Sequence, residues 1–220
     1  MKRHLPSVTL VAIDGTGKNE NVAKALRISS LKLSYGDTLL IGPTSNYKLP
    51  PNTRHHKIEP MDYLGWNKFV LKSLGDLIKT DHYLYVDYDG FVLHPEAWTD
   101  EFLKYDYIGA PFTYPNHVMT KHVDTKIKKI PKSQINLVGN GGFTLRSKKF
   151  AEVAKLCKDT RYRPEDVYSC FNNYTFFINN GVKFCPVDLA SKFSYNYLHH
   201  NKGIFGFHGD KNYIKTIQND

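Results

Sequence analysis

The sequence predicts a single α/β domain, and three observations predict it. An apolar strand from Val8 to Ile13 runs into Asp14-Gly15 and is followed by a helical stretch from about Glu20 to Ser29, the opening unit of a nucleotide-binding fold. Extended and helical stretches then alternate along the chain with no internal repeat, linker or low-complexity tract, the pattern of a sheet covered by helices. The third observation is size. A chain of 220 residues can build one sizeable core but not two ordinary ones, so residues 1–220 are read as one domain.

Beyond the opening unit, Asp37 to Ile41 gives a second strand and Arg54 to Ile58 a third, with Pro43, Pro50 and Pro51 marking the loop between them. Trp66, Phe69, Val70, Leu74, Leu77 and Ile78 recur at three- and four-residue intervals, so one helix over 63–79 presents an apolar stripe to the sheet. A strand over 82–86 follows at once. Pro95 to Leu103 reads as a short helix and Tyr107 to Ala110 as a strand, before the pattern dissolves across 113–137. That segment carries Lys121, Lys126, Lys128, Lys129, Lys132, His117 and His122. Two readings of it stay open, a basic flap that orders over an anionic ligand and a solvated surface loop. A strand over 143–146, helices over Lys148 to Lys158 and Pro164 to Asn179, and a final strand near Val182 to Val187 complete the pattern, ahead of an aromatic-rich tail.

Composition narrows the function classes. Hydrophobic residues at 41% and aromatics at 14% exclude a disordered chain. The formal charge of +9 suits nucleic acid, an anionic membrane surface or phosphorylated small molecules, and does not choose among them. Fifteen tyrosines lean towards polar-tipped aromatic surfaces that bind sugars or bases. Cys157, Cys170 and Cys185 fit neither a disulfide framework nor the paired spacing of a structural zinc site, so reduced, buried thiols are expected. The first apolar run is broken by Asp14 and resembles neither a signal peptide nor an anchor helix. A soluble, cytoplasmic protein without a transmembrane segment is the expectation.

The most informative stretch is Tyr83-Leu-Tyr-Val-Asp-Tyr-Asp-Gly90, an apolar strand that ends in two carboxylates. Side chains two apart on extended backbone face the same way, so Asp87 and Asp89 are aimed at one point. Neighbouring carboxylates repel unless a cation makes their ionised forms compatible. Oxygen ligands favour Mg²⁺ or Mn²⁺, and Mg²⁺ is commonly held by one or two carboxylates together with substrate phosphates. A diphosphate is the ligand this implies; the plainer reading is an ordinary Asp89-Gly90 turn after a solvated strand end.

Other motifs add to this one. Gly15-Thr16-Gly17-Lys18 is rejected as a Walker phosphate loop, because Ala12 replaces the first glycine and Asn19 the magnesium-binding hydroxyl. Gly139-Asn140-Gly141-Gly142 permits close backbone approach, exposed N–H donors and positive φ before a strand, as a sugar-gripping turn or a plain one. Pro164-Glu165-Asp166-Val167 sets two acids in a first helical turn, where proline and the helix dipole suit them and where a carboxylate is also fixed to act as general base. Phe205-Gly206-Phe207-His208-Gly209 puts an imidazole between glycines, either a structural histidine or a metal ligand.

Taken in order, Asp-x-Asp-Gly-Phe-Val-Leu (87–93), Gly-Asn-Gly-Gly-Phe-Thr-Leu-Arg-Ser (139–147), Pro-Glu-Asp-Val (164–167) and Phe-Gly-Phe-His-Gly (205–209) resemble the GT-A superfamily of nucleotide-sugar glycosyltransferases. The chain is most similar to a poorly characterised family of bacteria and large viruses within it, over about Val8 to Gly209. The resemblance implies a GT-A-like, Rossmann-like three-layer fold with a central, mostly parallel mixed sheet. It implies that Asp89, with Asp87, and His208 hold Mn²⁺ or Mg²⁺ against the donor diphosphate. Asn140, Gly141 and Gly142 would line the sugar or acceptor pocket. Asp166 would be the general base, with Glu165 the alternative carboxylate. Asp14 is placed like residues that contact the nucleotide base, Lys72 would reach a phosphate, and Tyr88 joins the donor-binding set.

The activity this implies is transfer of a monosaccharide from a nucleoside-diphosphate sugar to a hydroxyl of a glycan or other acceptor, with inversion and with no nucleic acid as partner. A sugar nucleotidyltransferase is the second hypothesis, although Gly15 to Lys18 is a poor substitute for the glycine-rich basic loop that holds a triphosphate. A non-catalytic glycan- or polyanion-binding protein is the third; it leaves the ordered acidic and histidine motifs without a role.

Overall fold

A computed structural model describes residues 2–112, 123, 138–162, 164–196 and 203–209. Alternating apolar residues on the first strand, β1 (Arg3–Ile13), serve both sides of a sheet: Leu10 and Ala12 enter one core cluster, Val11 and Ile13 another. Five more strands complete it: β2 (Leu33–Gly42), β3 (Arg54–Lys57), β4 (His82–Val86), β6 (Tyr107–Ile108) and β7 (Phe143–Ser147). Their order is β3-β2-β1-β4-β7-β6. The first four run parallel, and β7 is antiparallel to both β4 and β6.

Helices cover both faces, giving the mixed α/β three-layer architecture read from the sequence. On one face α1 (Glu20–Ser29) packs Val22, Ala25 and Leu26 against Leu10, Leu40 and Leu84. On the other, α2 (Tyr63–Lys72) and α3 (Leu74–Leu77) bring Val70 and Leu74 onto Val11, Ile41, Tyr83 and Tyr85. The helix α4 (Lys148–Leu156) joins that second layer through Phe150 and Ala151. Each fully buried Leu, Val or Phe in these layers contributes about 1.5–3 kcal/mol. No helix among the described residues is long and apolar enough to cross a membrane.

Several elements depart from the pattern expected. β1 and β2 start earlier than their apolar runs, because Pro6 falls where the pairing register shifts between Leu5 and Thr9 and the ladder resumes on either side. The helix expected over 63–79 breaks at Ser73, and Gly75 lets α3 press on α4, where a Cβ would lie 2.5 Å from that of Ala151. Two short 3₁₀ turns, Pro95–Ala97 and Asp100–Lys104, replace one helix, since Thr99 is extended and caps the second turn. The helix expected over 164–179 is α5 (Glu165–Val167), a π-helical segment (Tyr168–Asn172) and α6 (Tyr174–Asn179). The expected last strand is a single bridge from Phe184 to Tyr107, because Pro186 starts α7 (Val187–Phe193). The lysines and histidines of the basic stretch over 113–137 lie outside the described residues.

A second, three-stranded sheet was not foreseen. It joins β5 (Gly90–Val92), β8 (Ser194–Asn196) and β9 (Gly206–His208) in the order β5-β9-β8. Its core is Phe91 against Phe207, edge to face at 4.6 Å, with Tyr195 stacked behind. This sheet ties the chain's last described segment to the end of β4.

Candidate functional site

β4 ends at Val86, and the two carboxylates that follow meet through a turn rather than along a continuing strand. The Gly90 amide donates to the Asp87 carbonyl at 3.1 Å, closing a four-residue turn. The strand β5 then leaves antiparallel to β9, pairing Gly90 with His208, and the Gly209 amide donates to the Asp89 carbonyl at 3.0 Å. Two short strands thus bring the histidine of the Phe-Gly-Phe-His-Gly motif to the acidic pair.

One ligand atom from each of Asp87, Asp89 and His208 lies within 4.8 Å of the others, and His208 Nε2 is 3.1 Å from Asp89 Oδ1. The three ligand atoms are close enough together to hold one metal ion. Electrostatics agrees with the geometry. Burial pushes the Asp87 carboxyl up to about 6, with Asp89 adding to the rise and His208 opposing it. Burial works against charge on His208, but the hydrogen bond and charge of Asp89, then Asp87 and Asp166, hold its pKa above the usual value. Two carboxylates and an imidazole offer two oxygen donors and one nitrogen donor, a set that divalent metal ions accept.

The floor of the cluster is the turn Gly139–Gly142. The Gly142 carbonyl accepts from the Asp87 amide at 2.8 Å. A Cβ on Gly142 would lie 2.0 Å from the His208 ring, so the imidazole rests on bare backbone. The positive φ expected of this turn falls on Asn140 (φ 52) and not on its glycines; asparagine tolerates that conformation, and the glycines serve close approach instead. Asn140 is buried.

Glu165 and Asp166, adjacent in α5, part company here. Glu165 is 2% exposed and pairs with Arg146, itself fully buried, at 2.7 Å. Burial raises its pKa, against the Arg146 charge. It has no face open to an acceptor, which corrects its reading as an alternative base. Asp166 is half-buried; its Oδ2 accepts from the Gly141 amide at 3.1 Å and its Oδ1 from the Val167 amide at 2.7 Å. Two of a carboxylate's roughly four lone-pair sites remain.

The donor-binding set divides as well. Tyr88 stands beside the cluster, 47% exposed as a residue, and its amide donates to Asp87 Oδ1 at 2.9 Å. Asp14 does not offer its carboxylate to a base. It accepts from the amides of Thr16, Gly17 and Asn19 and the hydroxyls of Thr16 and Tyr47. Burial alone would raise its pKa; the bonds from Tyr47, Thr16 and Asn19 hold it below the usual value. The amides that a phosphate loop would turn to a triphosphate are therefore spent on this carboxylate. Lys72 is corrected too: its Nζ donates to the carbonyls of Ala154 and Cys157 at 2.6 Å, closing the end of α4. All three cysteines are free and buried, as read from the sequence.

Residues 61–208 match the family described as a protein of unknown function (DUF5672). The chain belongs to this family. The DUF5672 match takes in the acidic pair, the glycine turn, α5 and His208, and leaves out β1 and Asp14. No curated protein matches the chain. Two residues inside the family region escaped the sequence reading. Arg146 is the fourth residue of β7, the strand that follows the glycine turn, and the inward face it shares with Thr144 was its only signal. Asn67, fully buried on the face of α2 that also buries Val70 and Leu71, accepts from the Glu165 amide at 2.7 Å.

Proposed function

We propose that this protein is a divalent-metal-dependent glycosyltransferase that moves a monosaccharide from a nucleoside-diphosphate sugar to an acceptor hydroxyl, with inversion. The observation that carries the reading is the convergence of Asp87, Asp89 and His208 on one side of the turn at 139–142 with Asp166 bound to the same turn on the other. A metal next to a carboxylate base suits in-line displacement of a diphosphate, the one stabilising the leaving group and the other activating the hydroxyl. The order of the four motifs supports the donor class. The three buried thiols suit a reducing compartment, and cytoplasmic residence belongs to the proposal.

Asp87, Asp89 and His208 would hold Mn²⁺ or Mg²⁺. Bound there, the ion supplies charge neutralisation to the departing diphosphate. Asp166 takes the proton of the acceptor hydroxyl, whose oxygen forms the new bond to the anomeric carbon. The bond from that carbon to the phosphate oxygen breaks, and the nucleoside diphosphate leaves with the electron pair. The Gly141 and Val167 amides keep the base from rotating, leaving it in reach of the acceptor. Asn140 and Gly142 form the wall against which the transferred sugar packs. Tyr88 offers an exposed ring beside the cluster for the donor.

The test is thermal unfolding with a panel of nucleoside diphosphates, each with and without Mn²⁺. Ligand bound at 100 times its Kd stabilises by ~2.7 kcal/mol, so one nucleotide should raise the melting temperature only when Mn²⁺ is present. A panel in which no nucleotide does so, with wild-type protein that is folded throughout, overturns the reading.

A further inference from the structure

We propose that the buried Arg146–Glu165 pair is a positioning device that fixes Asp166 relative to Asp87, Asp89 and His208 by acting through the turn at 139–142. The roles of Asp166 and the cluster rest on the proposed function; the mechanical coupling does not.

Arg146 lies on β7, next to the sheet edge, between Tyr83 on β4 and Tyr107 on β6. Its guanidinium is walled by aromatic rings, with Cζ 5.1 Å from the Tyr107 centroid and 5.7 Å from those of Tyr85 and Phe150. Its polar contacts point towards the turn: Glu165 Oε1 at 2.7 Å, Thr144 Oγ1 at 2.9 Å and, at 3.5 Å, the Gly141 carbonyl. Glu165 is fixed from its other end by Asn67, which accepts from its amide. The turn rests directly on this carboxylate, since a Cβ on Gly141 would lie 2.0 Å from Glu165 Oε1.

Stability gives no reason for such a pair. A buried ion pair replaced by apolar groups of like volume is often neutral or more stable, because desolvation offsets the Coulomb attraction. Its location gives one. From the turn that sits on the pair, the Gly141 amide reaches Asp166, the Gly142 carbonyl takes the Asp87 amide, and the Gly142 backbone supports His208. Both limbs of the site therefore share one polar support, the turn that rests on the charge pair.

The experiment compares wild type, the double variant Arg146→Met/Glu165→Leu and Glu165→Gln in three measurements: melting temperature, Mn²⁺ affinity from the free-ion EPR signal, and amide exchange of residues 139–144. The double variant removes both charges without stranding one. It should melt within about 5 °C of wild type, because a shift of 1 kcal/mol moves a domain of this size by roughly 2–4 °C. Its Mn²⁺ dissociation constant should rise about tenfold, the low end for a lost ligand-orienting partner, and exchange in the turn should quicken about tenfold. A folded double variant with wild-type Mn²⁺ affinity and wild-type exchange overturns the proposal. If that variant does not fold, Glu165→Gln decides by the same two readouts, unchanged values again overturning it. Wild-type protein that binds no Mn²⁺ defeats the metal reading alone, and turn exchange then decides whether the pair holds Asp166.

Discussion

On the proposed function, replacing Gly142 by alanine should disable metal binding by Asp87, Asp89 and His208 without substituting any of the three. The new methyl would lie 2.0 Å from Cδ2 and 2.1 Å from Nε2 of His208, whereas ordinary contact begins near 3.4 Å. The ring must retreat by about 1.4 Å, the difference between 3.4 and 2.0. Metal ligation tolerates about ±0.2 Å, so the imidazole is lost as a ligand. Backbone movement gives no escape, because the Gly142 carbonyl is held by the Asp87 amide at 2.8 Å and shifting it drags a second ligand. Gly142 is not among the positive-φ glycines, so the substitution adds overlap rather than backbone strain, costing about 1–3 kcal/mol. The assay is Mn²⁺ binding by EPR for Gly142→Ala, His208→Ala and the double variant, with melting temperatures alongside. Each single change should weaken Mn²⁺ binding at least ~100-fold, beyond the ~10–100-fold effect of disturbing an outer partner. The double variant should bind no worse than either and melt above Gly142→Ala, since removing the ring removes the clash. Wild-type Mn²⁺ affinity in folded Gly142→Ala, or losses that add fully in the double variant, would refute the reasoning.

Three further outcomes follow from the same geometry. Asp166→Asn should cut transfer by ~10²–10⁴-fold while leaving Mn²⁺-dependent nucleotide binding intact; transfer at the wild-type rate removes Asp166 from the mechanism. Lys72→Met should destabilise the fold by about 1–3 kcal/mol, the worth of a charged hydrogen-bond cluster at a helix end, with nucleotide affinity unchanged. A selective loss of nucleotide binding in that variant would restore the phosphate role. Asp159 is held down to about 2 by Arg161, with Asn173 adding a bond, against 3.8 for a free carboxyl. A carboxyl lowered on folding contributes stability above its unfolded pKa and loses it as pH falls through the folded one. Wild type should therefore lose up to about 2 kcal/mol between pH 4 and pH 2, a loss absent from the denaturation curves of Asp159→Asn.

The large sheet was legible because its signals are local. Periodicity marks β1, α1, the 63–79 stripe and β4 within windows of a few residues, and tertiary packing only trimmed or broke them, as Gly75 does by admitting α4. The three-residue strands β5, β8 and β9 are too short to carry a period, and two of them pair across more than a hundred residues. The three residues that the fold brings together were therefore visible as motifs, while the strand pairing that joins them was not. Lys72 misled for a related reason. A lysine on a helix looks solvated or ligand-bound until its stem is seen to cross to carbonyls 82 to 85 residues away.

The two acids of α5 show what a sequence leaves open and how a fold closes it. Glu165 and Asp166 have the same charge and the same favourable place in a first helical turn, so chemistry alone does not separate a base from a brace. Consecutive helical residues point about 100° apart. With Val167 fully buried and Asn67 gripping the Glu165 amide, the helix is turned so that Glu165 faces inward. An inward carboxylate at that depth needs a cation, and Arg146 supplies it from the one strand that continues the glycine turn. Asp166 is then the half-buried acid of the two, bound to the Gly141 amide. Exchanging the order, with Glu165→Asp and Asp166→Glu together, keeps charge and composition but shortens the brace by one methylene and lengthens the proposed base. Aspartate at 165 cannot span the same 2.7 Å contact without moving the backbone, so the swapped protein should lose Mn²⁺ affinity along with transfer. Loss of transfer with Mn²⁺ affinity kept would mean that the two acids act independently.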